Sequence, residues 1–496
     1  MRLLAGFDLG TTGCRCVLFN EKLDVLGEDY HEYPLITGDN GIVEQDAEQW
    51  WLLLVSALSG AAVNAACKIE DISALSLSSQ GITVVPVNSE IKPLANAINW
   101  LDQRADTGVE TITRTLGAER YTDITARISP EHYGLSKIMW FVRHKPELTF
   151  ETAYYLMPMD FIIARLCGNT VTDHSMAAGL GCYDINARTW SEEILRVAGI
   201  ASKRLPLIVQ SGTIAGRVTE QAAKSTGLMP GTLVAVGAQD QKCGALGAGI
   251  DRRTITVSLG TCLAMLVKSE RILCDPDMYL PCFSDLFQDG YLLEGCVAIG
   301  AGCLKWFRDL FYPGFSYDQL TALAAQHAPN MESPLFFPYL SGMGTPKRWE
   351  NGTGCFHGLR LNTSMQGMSH SVLEAVAFTL RQNLEAAQSI AGSRPDYLRV
   401  FGGGAKSKEW LQIIANVTGL PVESLYTHEV SCVGAAMLAG LAAGIFKDVR
   451  EAQSAGVRVR ERVMPNPQRS GIYNQRYDMF NHYENTLFGG PRHLSQ

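Results

Sequence analysis

A chain of 496 residues is too long for one ordinary hydrophobic core, so two large domains with a cleft between them are expected. With 46% hydrophobic and 19% charged residues, and 47 glycines spread along its length, the composition is that of a compact α/β protein and excludes a disordered or fibrous one. The formal net charge of -8 argues against non-specific binding to nucleic acid or to an anionic membrane, so any anionic ligand must be held by local donors.

In chain order, residues 3–7 and 14–19 are short apolar runs that read as strands, and residues 46–63 predict a helix. That helix has Asp46 as N-cap, Gln49 three residues on, and an apolar face of Trp50, Leu54 and Leu58. Strands follow at 72–78 and 82–87, and from 97 to 210 the pattern is mostly helical, with KIMWFVRH and MDFIIARLCG clearest and the latter stopped by Gly168. GTLVAVGAQD at 231–240 returns to a strand, and the small-residue stretch after it puts a domain boundary near 245–253, dividing the chain into 1–248 and 249–496. The second half opens on a strand pair at 254–267. It continues through EGCVAIGAGCLKWFRDLF, a long amphipathic helix at 367–391, the strand YLRVF, the turn GGGAKS, a helix from Ser407 to Gly419, and VGAAMLAGLAAG. Thirteen cysteines include no CxxC pair and one CxC (Cys14, Cys16), so reduced, incidental thiols are expected and neither zinc nor a disulfide framework. Without a signal-peptide pattern or an apolar run of membrane-spanning length, the chain reads as cytoplasmic.

Two segments share a rhythm: LLAGFDLGTTGCRCVLF and TITVSLGTCLAMLV each run apolar strand, Leu-Gly-Thr, apolar strand. A turn at Gly10 with no side chain lets backbone N–H groups and the Thr11 and Thr12 hydroxyls approach an anion. Asp8 would repel a bare phosphate, so it implies a divalent cation in between, and Arg15 adds a nearby positive charge. In the second copy Ser258 replaces the acid, and Gly260 and Thr261 can meet phosphate alone. Two such grips are what a nucleoside triphosphate across a cleft requires; a pair of plain β-turns is the competing reading. In VAVGAQDQKCGALG, Asp240 leaves a buried strand either as a general base toward a substrate hydroxyl or as a helix N-cap. In VFGGGAKSKEW, Gly402 to Gly404 have no Cβ to obstruct an adenosine, or they form a simple tight turn. A dinucleotide fingerprint fails on spacing and on position.

Together these segments resemble the FGGY family of carbohydrate kinases from residue 3 to about residue 446. FDLGTTGCR, GIVEQDAEQWW, INWLDQRA, GAQDQKCGALGAG, LGT at 259–261, and FGGGAKSKEWLQIIANVTGLPV with VSCVGAAMLAGLAAG carry the likeness. It implies an α/β architecture of two actin-like ATPase (ribonuclease-H-like) domains closing on MgATP and a sugar, with transfer of the γ-phosphate to a sugar or polyol hydroxyl. Under the resemblance, Asp240 is the base that takes the hydroxyl proton and Asp8 holds magnesium through water. Thr11, Thr12, Arg15, Gly260 and Thr261 fall on phosphate-contact positions, Gly300 near ribose and phosphates, and Gly404, Ala405 and Lys408 around the adenosine. Trp100 and Asp102 match acceptor-side positions, with Gln80 and Gln239 as further candidates.

The chain also departs from the family pattern. Asn416 stands where many members have Asp, and SSQGIT has neither the Met-His of xylulokinases nor the Arg-Glu of glycerol kinases after Gln80. Gly81 and Ile82 in those places predict open space and poor glycerol binding, hence a five- or six-carbon ketose or polyol, ketopentoses first and four-carbon polyols second. A nucleotide-driven ATPase without a sugar acceptor does not predict INWLDQRA beside FGGGAKS and GAQD, and a degenerate regulatory member does not predict intact Asp8, Arg15 and Asp240. A homodimer is the candidate assembly, and neither nucleic acid nor membrane is an expected partner.

Overall fold

Buried apolar runs build two mixed sheets. The computed structural model describes residues 2–104, 108–274, 280–287, 290–347, 352–391 and 395–489. Strands β1 (Leu3–Leu9), β2 (Gly13–Phe19) and β3 (Val25–Glu32) form an antiparallel meander. Helix α1 (Ala47–Asn64) then returns the chain to β4 (Ile72–Ser79), parallel to β1. The short strands β5 (Ile214–Arg217) and β6 (Leu233–Ala235) complete the order β5-β6-β4-β1-β2-β3, and β7 (Ala238–Gln239) lies beside the end of β4.

Helix α2 (Asp240–Gly247) leads to the second sheet. Strands β8 (Thr254–Leu259), β9 (Leu263–Ser269), β10 (Cys282–Ser284) and β11 (Tyr291–Val297) are followed by helices α3 (Gly302–Phe311) and α4 (Met365–Ala391). Then come β12 (Tyr397–Phe401), α5 (Lys408–Thr418), β13 (Val422–Leu425), α6 (Val430–Ala442), β14 (Val459–Val463) and α7 (Pro467–Phe488). The order is β10-β11-β9-β8-β12-β13-β14. Strand for strand, β11-β9-β8-β12-β13-β14 repeats β3-β2-β1-β4-β6-β5, including which neighbours run parallel. The sequence carries only a faint trace of this duplication, because backbone direction can persist while side chains diverge.

Local chemistry explains most boundaries. Asp46 caps α1 by accepting the Glu48 N–H at 2.9 Å, without the reciprocal bond from Gln49 that a capping box needs, and Trp50, Leu54 and Leu58 are buried. Ser407 caps α5 by accepting the Trp410 N–H, and Gly419 ends it with φ 68°. The predicted strand at 82–87 starts only at Val85, because Ile82 has φ 69° and the Thr83 N–H closes on Gly81 O at 2.8 Å, a γ-turn. The strand at 231–240 is split into β6 and β7. The region 97–210 contains, besides its helices, short strands such as Tyr154–Leu156 and Val171–Asp173.

Helix α6 belongs to the second half by sequence but packs on β1, β4 and α2. Small residues make this approach possible. A Cβ on Gly247 would lie 2.0 Å from Val430 O, one on Gly434 would lie 2.0 Å from Cys243 O, and one on Gly6 would lie 2.1 Å from Cys432 O. Gly434→Ala is therefore expected to lower the thermal midpoint by several degrees, since overpacking costs about 1–3 kcal/mol and here the obstructing atom is a backbone carbonyl. Gly471→Ala, in α7 with nothing within 4 Å of the added carbon, should leave the midpoint unchanged or raise it. Calorimetry of both variants checks the pair.

Candidate active site

The first hairpin turn is braced from three sides. Gly10 N–H donates to Gly13 O at 2.9 Å across the turn, and Tyr33 donates its hydroxyl to Gly10 O. Gln45 Nε2 donates to Thr11 O at 2.6 Å, and Trp100 Nε1 donates to Thr11 Oγ1 at 2.9 Å. Thr12 is exposed at the tip, with its carbonyl taken by the Tyr33 N–H. Asp8, paired with Arg15 across the β1–β2 ladder, accepts the Ser78 hydroxyl at 2.7 Å. Burial raises the Asp8 pKa despite Ser78 and the Arg15 charge. Arg15 is itself held, 3.1 Å from Glu429 at the start of α6 and 3.5 Å from Glu28.

Asp240 is the first residue of α2, and the cap position belongs to Gln239, whose side chain accepts the Gln241 N–H at 3.2 Å. Both hydrogen bonds to Asp240, from Gln241 N at 2.7 Å and from Gln239 Nε2, end on Oδ1, which leaves Oδ2 for another partner. Its pKa is pushed up to about 7, first by burial and then by the charge of Asp8, with Lys242 opposing. Two part-buried carboxylates, with the charge of Asp8 raising the proton affinity of Asp240, form a site suited to a cation. Among the described residues no three His, Cys, Asp or Glu side chains converge as a metal-binding set. A cation beside Asp8 would therefore take most of its ligands from water and phosphate oxygens.

The second hairpin is supported by backbone alone: Gly300 N–H donates to Thr261 O at 2.7 Å and Ala301 N–H to Gly260 O at 2.8 Å. Gly260 and Thr261 open into a cavity of about 610 Å³ whose walls include Gly302, Lys305, Tyr317, Gly403, Gly404 and Lys406. Gly402, at φ 88°, turns the chain against β8, and a Cβ on Gly404 would lie 2.5 Å from Leu259 Cγ. Three further residues expected near the nucleotide adjoin the cavity without lining its wall. Gly300 supports the hairpin from behind, with no room for a Cβ beside Leu263 N at 2.7 Å, and Ala405 is buried beneath the turn. Lys408 points outward, exposed and 3.8 Å from Glu461, because it is the first residue of α5 while the preceding loop faces the cavity; Lys406 lines the wall instead. Tyr317 and Lys305 lie outside every recognised motif and carry no sequence signal of their own.

On the acceptor side, Trp100 is part-exposed and tied to the first hairpin. Gln80 and Asp102, expected to anchor the acceptor, are instead engaged within the protein. Gln80 is buried, donating to Gln45 Oε1 at 2.9 Å and accepting from Asn99 Nδ2 at 3.2 Å and from the Thr83 hydroxyl at 3.3 Å. Asp102 accepts the N–H groups of Val43 and Arg104 at 2.7 and 3.0 Å and pairs with the Arg104 guanidinium. Nor does Gly81 leave an open space, since a Cβ there would lie 3.2 Å from Gln239 Cγ.

Comparison with known proteins agrees with this geometry. Residues 3–247 match the model of the FGGY family of carbohydrate kinases, N-terminal domain, and residues 255–443 that of its C-terminal domain. The chain is 30% identical over 481 residues to a xylulose kinase of Bacillus subtilis, covering 97% of this chain and 96% of that one. It is 28% identical over 453 residues to a gluconokinase of the same organism, covering 89% and 88%. A ligand-bound xylulose kinase structure from Lactobacillus acidophilus superposes with a TM-score of 0.90 at 25% identity, covering 99% of both chains. Two mixed sheets of one repeated topology, in a chain whose halves match both family domains, are the actin-like ATPase fold, and the chain belongs to the FGGY family of carbohydrate kinases as an ATP-dependent sugar kinase.

Proposed function

We propose that this kinase phosphorylates a five- or six-carbon ketose or polyol, ketopentoses first, with Asp240 as the base and a magnesium ion beside Asp8. What supports the reading above all is Asp240: a part-buried carboxylate with one oxygen uncommitted, near enough to Asp8 for that charge to raise its pKa. Phosphoryl transfer through a loose transition state needs positioning and charge stabilisation more than bond-making chemistry. The N–H groups and hydroxyls of Thr11, Thr12, Gly260 and Thr261 would hold phosphates from the two halves, with Arg15 as a neighbouring positive charge. The wall at Gly403, Gly404 and Tyr317 would take the adenosine. Bound magnesium would supply charge neutralisation for the phosphates, and Asp8 would orient it through water. Asp240 Oδ2 would orient the acceptor hydroxyl and take its proton as the acceptor oxygen bonds to the γ-phosphorus and the bond from that phosphorus to the bridging oxygen breaks, releasing ADP. Trp100 and Gln239 remain acceptor-side candidates, while Gln80 and Asp102 fix the loops around them. The family models meet between residues 247 and 255, which supports domains of 1–248 and 249–496. The thirteen cysteines are all free, which supports a cytoplasmic setting.

Asp240→Asn should keep the fold and nucleotide binding but lower kcat by about 10²- to 10⁴-fold. Near wild-type turnover would return Asp240 to a structural role. For the wild type, ionised Asp240 is the active form and its pKa is raised, so kcat/KM for the sugar should fall as pH drops below about 7 and level off above it. A flat profile from pH 5 to 8 would place the Asp240 pKa below that range once magnesium offsets the Asp8 charge.

Asp8→Ala should raise the magnesium concentration needed for half-maximal rate. Loss of activity with unchanged magnesium dependence would remove the metal role.

With Gly81 packed under Gln239, discrimination against glycerol rests on the missing polar partners at positions 81 and 82 and not on extra volume. Steady-state kinetics on xylulose, ribulose, erythritol, hexoses, gluconate and glycerol should rank glycerol last. The highest kcat/KM for glycerol would defeat the reading, and the highest for gluconate would replace the ketose by a sugar acid.

A further inference from the structure

Strand β10 is three residues long, and each of them is held by the other half of the molecule. Arg127 Nη1 donates to Cys282 O. The Phe283 ring has the Arg127 guanidinium carbon 3.9 Å and the Lys242 Nζ 3.6 Å from its centroid. Ser284 Oγ lies 3.0 Å from the Tyr183 hydroxyl, which is itself 2.8 Å from His174 Nδ1. Lys242 also donates to Glu294 Oε2 on β11 at 2.7 Å. Arg127, Lys242 and Phe283 are all buried, and Arg127 Nε and Nη2 have no hydrogen-bond partner among the described residues. Two cations on one aromatic ring, one of them with most of its donors unused, is an arrangement that orients side chains more than it neutralises charge.

The place of this seam gives it a role. Lys242 stands two residues after Asp240 on α2. Phe283 and Glu294 lie on adjacent strands, β10 and β11, and β11 pairs with β9, which starts directly after the second phosphate hairpin. A continuous path of contacts therefore runs from the helix that carries Asp240 to the hairpin that carries Gly260 and Thr261. On the proposed reading of the site the adenosine lies against the second sheet and the acceptor against the first, while the phosphates reach from the second hairpin toward the first. Transfer of the terminal phosphate is the step that most needs both halves in register.

We propose that Arg127, Phe283 and Lys242 form a positioning seam that registers Asp240 against the second phosphate hairpin, so that turnover depends on it while the binding of either substrate alone does not. The inference rests on the reading of Asp240 as the base. A displacement of about 1 Å at reacting atoms is enough to cost about 10²-fold in rate, so small losses of register are measurable.

The test compares Phe283→Leu, which keeps apolar volume and removes the π face, with Lys242→Met and Lys242→Arg. Steady-state kinetics use the best acceptor from the sugar panel, and calorimetry measures MgADP and that sugar separately. Expected is a fall in kcat of about 10- to 100-fold for Phe283→Leu and Lys242→Met, a change of less than threefold in either binary Kd, and recovery of most of the loss in Lys242→Arg. Folded variants with wild-type kcat overturn the seam, and so does a loss confined to one binary Kd, which would make Lys242 or Phe283 part of a ligand wall. Should Phe283→Leu fail to fold, the two Lys242 variants decide. A wild-type enzyme that phosphorylates no acceptor overturns the kinase reading and the seam together; an active wild type with unaffected variants overturns the seam alone.

Discussion

The backbone contact between α2 and α6 is the constraint on which the site depends. Helices with ordinary side chains stand 8–10 Å apart, but here glycines at 247 and 434 bring each helix against the other's carbonyls. Helix α2 begins at Asp240 and its far end feeds β8 and the second hairpin. Helix α6 begins beside Glu429, which holds Arg15 next to the first hairpin. One crossing therefore sets the separation of Asp240, Arg15 and both hairpin turns. It works because α6 leaves its own sheet and lies on β1 and β4, so the two halves share a wall and not merely a linker.

Against that rigid crossing, the electrostatics of the cleft are unbalanced toward negative charge. Asp8 and Asp240 are both part-buried and both held toward their protonated forms, and Glu294 adds a third acid near Asp240, with Arg15 opposing at Asp8 and Lys242 at Asp240. Carboxylates so placed bind protons or metal more readily than an exposed pair would. The same surplus of negative charge explains why the phosphate contacts are assigned to backbone N–H groups and hydroxyls: phosphate approaches such a pocket only with its own cation.

Much of this is legible in the chain wherever a residue type has few structural alternatives. Gly10, Gly260 and Gly402 mark turns that other residues fill poorly, and Ser407 and Gly419 bracket α5 as cap residues do. What is not legible depends on partners far away in sequence. Nothing local in SSQGIT shows that Gln80 meets Gln45 and Asn99, or that Gly81 lies beneath Gln239. INWLDQRA does not reveal that Asp102 is claimed by Val43 and Arg104. Lys408 and Lys406 differ by two positions, and only the start of α5 decides which faces the nucleotide cavity. The repeated sheet topology is hidden for the same reason, since strand order lies in pairing and not in composition.

The two phosphate turns are built to one plan but braced by different means, and this bears on how each tolerates substitution. The first turn is fastened by side chains at positions 33, 45 and 100, drawn from three separate segments, so a substitution at any one of them disturbs a network that the others share. The second turn is fastened by main-chain bonds from residues 300 and 301, which survive most exchanges of side chain. Exchange of neighbouring side chains is therefore expected to disturb the first turn more than the second.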